Sequence, residues 1–274
     1  MLIVVCGLFG LVIGSFLNVV IARVPAGESI VSPPSRCPNC GVAIAPRDNV
    51  PVVSWLLLRG RARCCGTRIS ARYPLVEAGT AVFFAAVAWW ASQPRADGDW
   101  PRDGLWHLPA FLYLAAITVC LALIDIDTYR LPFWIVAPSY PVALVLLGAA
   151  SFAERDVASA VRMLAGGAAL WLLYRLLHAI RPDGMGYGDV RLAGVLGLYL
   201  GWLGWSELVV GGFLGFLVGA VGGVVLMLLR RGGVRSLKNH IPYGPWMLLG
   251  TWLAVVWGGA VAGWYLGASG LDSL

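Results

Sequence analysis

The sequence predicts an all-α polytopic membrane protein with about eight transmembrane helices and one small Cys-containing insert. Three observations carry this. First, 59% of the 274 residues are hydrophobic and only 12% are charged, against roughly 25% charged in soluble domains. Second, the apolar residues run in continuous blocks rather than alternating, which argues for helices and against a barrel. Third, the basic residues fall on alternate sides of those blocks. A water-soluble enzyme could not hide this much apolar surface, and a disordered chain would need more charge and less hydrophobicity.

The blocks place spans near 2–22, 75–91, 107–124, 133–152, 157–180, 190–204, 207–229 and 243–268. The first lacks the basic start and small-residue cleavage site of a signal peptide and is retained as a span. The sixth is short and Gly-rich. Trp89, Trp90, Trp106, Trp134, Trp202 and Trp205 stand at span ends, where indoles settle at the membrane interface.

With the N-terminus outside, sixteen of the 20 Lys and Arg face inward. Arg23, Arg36, Arg47, Arg59, Arg61, Arg63, Arg68 and Arg72 lie on the first inner loop. Arg130, Arg175, Arg181 and Arg191 follow, then Arg230, Arg231, Arg235 and Lys238. Only Arg95, Arg102, Arg155 and Arg162 face outward. This positive-inside asymmetry predicts an even number of spans, both termini outside, and an insert on the cytoplasmic side. The net charge of +6 is therefore a topology signal. No nucleic-acid partner is expected, because no basic stretch is interleaved with exposed aromatics on a soluble domain.

The chain then divides into a first transmembrane helix over 1–23, a cytoplasmic insert over 24–74 and a transmembrane domain over 75–274. The insert is rich in proline and holds Cys37, Cys40, Cys64 and Cys65. Cys37-Pro-Asn-Cys40-Gly has the spacing of one half of a zinc knuckle, in which two thiolates converge on a tetrahedral metal. In the second half the cysteines are adjacent, and both can ligate only with local backbone distortion. Zinc, free thiols and disulfides all remain open on spacing, the reducing compartment weighing against the last. Cys6 and Cys120 sit in apolar spans as small core residues.

Few of the 14 acids lie at span depth. Asp125 and Asp127 end the third span and Asp189 opens the sixth; Glu77 and Glu207 stand at span edges. An ionisable group beside apolar helix costs a few kcal/mol and is a functional candidate by default. A blander account has each carboxylate reach the interface or pair with Arg130 or Arg191. The third span runs inward and ends at Asp125, while the sixth starts inside at Asp189, so both acids fall near the cytoplasmic surface. Two carboxylates meeting in a partly dry site share a proton. One then acts as base on a water and the other as acid toward a carbonyl oxygen, the chemistry of an aspartic protease. The run Asp183-Gly-Met-Gly-Tyr-Gly-Asp189 adds glycines, which permit φ > 0 and close approach of a second chain. A proton relay would spread its acids across the membrane, and no inverted repeat of a transporter is evident. A metal-dependent scaffold with incidental acids is the remaining alternative.

With these residues assembled, the sequence resembles the type IV prepilin peptidases, bifunctional leader peptidases and N-methyltransferases among the GxGD membrane aspartic proteases. The resemblance rests on Gly14-Ser-Phe-Leu-Asn18 through Pro25, Arg36-Cys-Pro-Asn-Cys40, Asn49 through Gly60, Ile69 through Glu77, Leu123-Ile-Asp125 through Pro132, and Gly184-Met-Gly-Tyr-Gly-Asp189-Val-Arg-Leu192. It implies Asp125 and Asp189 as the catalytic pair; Gly186 and Gly188, from the room glycine leaves a second chain, are expected to bind substrate or shape the site. Asp127 competes for the first role, but Asp125 stands at the family's place, seven residues before Pro132. On a helix the two would point about 200° apart.

The resemblance further implies proteolysis without a catalytic metal and structural zinc at Cys37, Cys40, Cys64 and Cys65. It implies S-adenosylmethionine as methyl donor and prepilin or pseudopilin substrates in a bacterial inner membrane, serving a type IV pilus or type II secretion. Three positions depart from the pattern. A second CxxC is expected at 62 and 65, yet position 62 is Ala62. Phe133 follows Leu131-Pro132 where Asp or Asn is usual, and Arg191 replaces a common Lys.

Overall fold

A computed structural model of the chain describes residues 1–37, 39–93, 104–182, 185–229 and 242–270. Arg95, Arg102, Gly184, Arg230, Arg231, Arg235 and Lys238, which figure in the sequence reading, lie outside these, as do Asp97, Asp99, Asp103, Asp183 and Asp272. The described residues are mostly helical and contain no strand, only isolated bridges. The helices are α1 (Leu2–Ala26), the short α2 (Val53–Leu57), α3 (Arg72–Ala91), α4 (Leu108–Thr128), α5 (Phe133–Ala153), α6 (Val157–Ile180), α7 (Tyr187–Leu203), α8 (Trp205–Leu229) and α9 (Gly244–Ser269).

Eight long helices thus occur at the eight expected places. Among the described residues seven are long and apolar enough to cross a membrane; α7, with 17 residues, is the exception. The exposed side chains fit that reading. Val5, Leu8, Phe9, Val12 and Phe16 make an open stripe on α1, and Val209, Phe213, Leu217 and Val221 make another on α8. Apolar stripes of this length would be untenable in water and are satisfied by lipid.

The chain forms two compact units, residues 1–120 and 121–274. In the first, α1 packs on α3 through small residues. A Cβ at Gly14 would lie 2.7 Å from the Glu77 Cα, and one at Gly10 would lie 2.8 Å from the Ala81 Cα. Asn18 Nδ2 donates to the Tyr73 carbonyl at 3.1 Å, tying the C-terminal part of α1 to the start of α3. Glu77 is buried because it has work there: the Val52 N–H donates to its Oε2 at 2.7 Å. That bond holds the insert onto α3 at a residue with φ of 61°, a conformation a β-branched side chain rarely adopts. The Trp55 indole N–H donates to the Ile69 carbonyl, and Arg63 pairs with Asp48 at 2.9 Å. The guanidinium hydrogen bond holds the Asp48 carboxyl below the usual carboxylate range.

In the second unit α7 is the hub, packed by α5, α6, α8 and α9. Fourteen of its residues are buried. The α6–α7 seam is nearly backbone on backbone: a Cβ at Gly166 would sit 2.7 Å from the Gly197 carbonyl oxygen. Helices α8 and α9 approach the same way, with a Cβ at Gly250 falling 2.5 Å from the Gly215 nitrogen. Small residues at such seams let van der Waals contact replace the hydrophobic drive that lipid cannot supply.

Candidate active site

Helix α4 remains helical through both candidate acids, so Asp125 and Asp127 face differently. Asp125 is 4% exposed and Asp127 lies open. The chain leaves α4 through Tyr129, at φ of 55°, whose N–H donates to the Asp125 carbonyl at 2.8 Å. Leu131 and Pro132 then lead into α5.

Asp189 stands at the third position of α7 and is 8% exposed. Its Oδ2 accepts the Gly186 N–H at 3.1 Å, which caps the helix it opens. An acid here is also favoured by the helix dipole. The Asp125 Oδ2 accepts a backbone N–H as well, that of Gly244 at the start of α9, at 2.9 Å. The two carboxyls lie within electrostatic reach of each other. Neither makes an ion pair among the described residues, and Arg191 lies over two aromatic rings instead.

The glycines act through space rather than through φ. Gly186 is extended, at φ of −68°, and Gly188 is helical. A Cβ at Gly188 would meet the Leu131 Cβ at 3.0 Å, and one at Gly186 would press the Asp189 Oδ2 at 3.2 Å. A Cβ at Gly244 would strike the Asp125 Oδ2 at 2.9 Å and the Leu131 Cδ2 at 3.2 Å. Leu131 therefore packs between α7 and α9, and the missing side chains let α4, α7 and α9 converge on the two acids.

Three features around the acids were not legible in the sequence. Gly244 is 119 residues from Asp125; its only signal is the Gly-Pro step opening the last span. Tyr174 stacks on Phe216 at 5.1 Å, and its hydroxyl meets that of Tyr243 at 3.4 Å. Arg191 lies over the Phe133 and Tyr187 rings at 4.7 and 4.6 Å. Two departures from the family pattern, Phe133 and Arg191, are therefore one contact.

The four insert cysteines form a second constellation, in the first unit. Their sulfurs all lie within 4.8 Å of one another, with Cys40 Sγ to Cys64 Sγ at 3.2 Å and Cys37 Sγ to Cys65 Sγ at 3.6 Å. The cluster could hold a metal ion. Two matching turns build it. In the first, the Cys37 N–H donates to the Val42 carbonyl and the Gly41 N–H to the Cys37 carbonyl; Arg36 bridges Ala43. In the second, the Ala62 N–H donates to the Thr67 carbonyl and the Gly66 N–H to the Ala62 carbonyl; Arg61 bridges Arg68. Gly41 and Gly66 take φ of 71° and 69°, the left-handed conformation such turns require. Ala62 thus occupies the place of Cys37, Cys65 that of Cys40, and Cys64 that of Asn39. The turn itself is undistorted. Backbone N–H groups of Cys40 and Asn39 hold the Cys37 thiol down to about 6, while the hydrogen bond with Cys40 pushes Cys64 up to about 12.

Residues 8–91 match the family model described as the bacterial peptidase A24 N-terminal domain, and residues 112–228 that of the type IV leader peptidase family. The chain is 37% identical to a prepilin leader peptidase/N-methyltransferase of Aeromonas hydrophila, over 94% of this chain and 92% of the relative. It is 34% identical to one of Pseudomonas aeruginosa, over 96% and 93%. For one of Pectobacterium carotovorum the identity is 35%, over 89% of each. No solved structure matches. With two family models in tandem and relatives aligned almost end to end, this chain belongs to the type IV leader peptidase family.

Proposed function

We infer that this multi-pass membrane protein removes the leader from prepilins or pseudopilins and methylates the new N-terminus, as its relatives' names describe. We place the proteolytic site at Asp125 and Asp189, on the cytoplasmic side of a bacterial inner membrane. The observation that supports this is that Asp125 and Asp189, 64 residues apart in sequence, are both buried, each accept one backbone N–H, and stand beside the glycines packed on Leu131.

In each carboxyl Oδ2 accepts that N–H, which leaves Oδ1 for a water or a proton. The ionised member takes a proton from a water lying between the two, and the protonated member donates to the scissile carbonyl oxygen. The water adds to the carbonyl carbon, the carbon–nitrogen bond breaks, and the leaving amine takes a proton back. No acyl-enzyme and no metal enter this sequence. An inner-face site suits a substrate whose basic leader stays in the cytoplasm while its apolar helix stays in the membrane.

For the insert we assign zinc, held by Cys37, Cys40, Cys64 and Cys65. Four thiolates around zinc at about 2.3 Å stand about 3.8 Å apart, close to the separations within this cluster. The metal would supply folding energy and no chemistry. Cys64→Ala should remove zinc and loosen the insert. Cys64→Ala combined with Ala62→Cys should restore binding, since position 62 holds the place of a knuckle ligand. Metal content by mass spectrometry reads both, and failure of the double variant would refute the two-turn account.

S-adenosylmethionine is the expected methyl donor. The glycines at the start of α7 do not fit a nucleotide cradle: no strand precedes them among the described residues, and the Gly186 N–H is engaged by Asp189. No methyl-transfer step is assigned to it. Incubation with a candidate prepilin and labelled methyl donor tests both activities. Leader loss with label at the new N-terminus is expected, and an intact substrate would refute the reading.

A further inference from the structure

We propose that His178 is a positioning residue that holds Asp189 through a single peptide group. The inference rests on Asp189 acting in proteolysis.

His178 lies in the last turn of α6 and reaches the Met185 carbonyl just before α7. Its Nδ1 lies 2.8 Å from the Met185 carbonyl oxygen, and its ring packs on that of Tyr187 at 5.6 Å. A carbonyl only accepts, so Nδ1 carries the proton and donates. It does so whether the ring is neutral or cationic. The Met185 carbonyl and the Gly186 N–H belong to the same peptide unit, which is planar and rigid. That N–H donates to the Asp189 Oδ2 at 3.1 Å. His178, one peptide plane and the Asp189 carboxyl thus form a short chain of two hydrogen bonds, each polarising the other. Gly186 has no side chain to fix its own orientation, and its extended backbone leaves the peptide plane free to rotate without an outside anchor. His178 is that anchor. It fixes which way Oδ2 is turned, and therefore where Oδ1 is presented. It does not touch the water or the substrate.

Side-chain length separates this role from general packing. Asparagine places an amide nitrogen near the position of Nδ1, glutamine places one near Nε2, and alanine places neither. For leader removal by the full-length purified protein, His178→Asn should keep kcat within about threefold. His178→Ala and His178→Gln should lose about tenfold in kcat, as expected for one lost orienting hydrogen bond. KM should stay constant across the series. Hydrogen exchange in the peptide covering Met185 to Val190 should quicken in the Ala and Gln variants and remain slow in the Asn variant. Asn and Gln variants that process alike would overturn the proposal, even where the Ala variant folds poorly. A rise in KM at constant kcat would overturn it too. Asp189→Asn serves as the control: retained activity there would overturn the reading of the site itself, whereas an inactive control with an indifferent His178 series would overturn only the role of His178.

Discussion

Asp189→Asn should abolish leader removal, by at least about a thousandfold in single-turnover rate, with little change in fold. The size follows from the proton inventory. One carboxyl must hold a proton for the carbonyl oxygen while the other accepts one from water, and an amide does neither. The fold survives because the asparagine oxygen can still accept the Gly186 N–H that now bonds Oδ2. Exchanging a buried carboxyl for a neutral amide also leaves no new charge to solvate. Cleavage of a purified prepilin read beside the thermal midpoint separates the two effects. An inactive variant with an unchanged midpoint is expected; an active one would remove Asp189 from the chemistry.

Gly197→Val should have the largest effect on stability, a loss of about 3 kcal/mol or more. A Cβ at Gly197 would run into the Gly166 carbonyl and lie 3.0 Å from the Gly167 Cα. These are backbone atoms of α6, and they cannot swing aside as a side chain would. The seam would have to open, displacing α7 and Asp189 with it. Gly148→Ala on α5 is the contrast, because a Cβ there meets nothing within 4 Å. That change should be neutral or slightly stabilising, since alanine is the better helix former. Thermal unfolding in detergent compares the two, and similar midpoints would contradict the seam as described.

The helices were legible because continuous hydropathy is a one-dimensional signal. Helix α7 was the hardest to bound for a physical reason: it is buried in protein on most sides, so its sequence answers to neighbouring backbones and is rich in glycine. Helical periodicity showed only that Asp125 and Asp127 point apart; the choice of Asp125 came from its place seven residues before Pro132 in the family resemblance, and Asp125 is the buried one of the two. The adjacent cysteines suggested distortion, but the second turn keeps the pattern of the first, and Cys64 simply stands in the place of Asn39. Gly186 and Gly188 stood out in the sequence for the φ > 0 that glycine permits, yet neither adopts it, and a Cβ at Gly188 would meet Leu131. Gly244 and His178 were not legible. Each acts through one backbone contact set by tertiary packing, which leaves no period or spacing to find. Phe133 and Arg191 looked like unrelated departures because 58 positions separate them, and only the fold brings the guanidinium over the ring.

The central claim is that one carboxyl of α4, Asp125 and not Asp127, works with Asp189. Its most direct test is the N-terminal mass of a prepilin co-expressed with Asp125→Ala or with Asp127→Ala, each variant present in the membrane at the wild-type level. The account predicts the uncut precursor with Asp125→Ala and the mature form with Asp127→Ala. Mature substrate with Asp125→Ala, and precursor with Asp127→Ala, would contradict it.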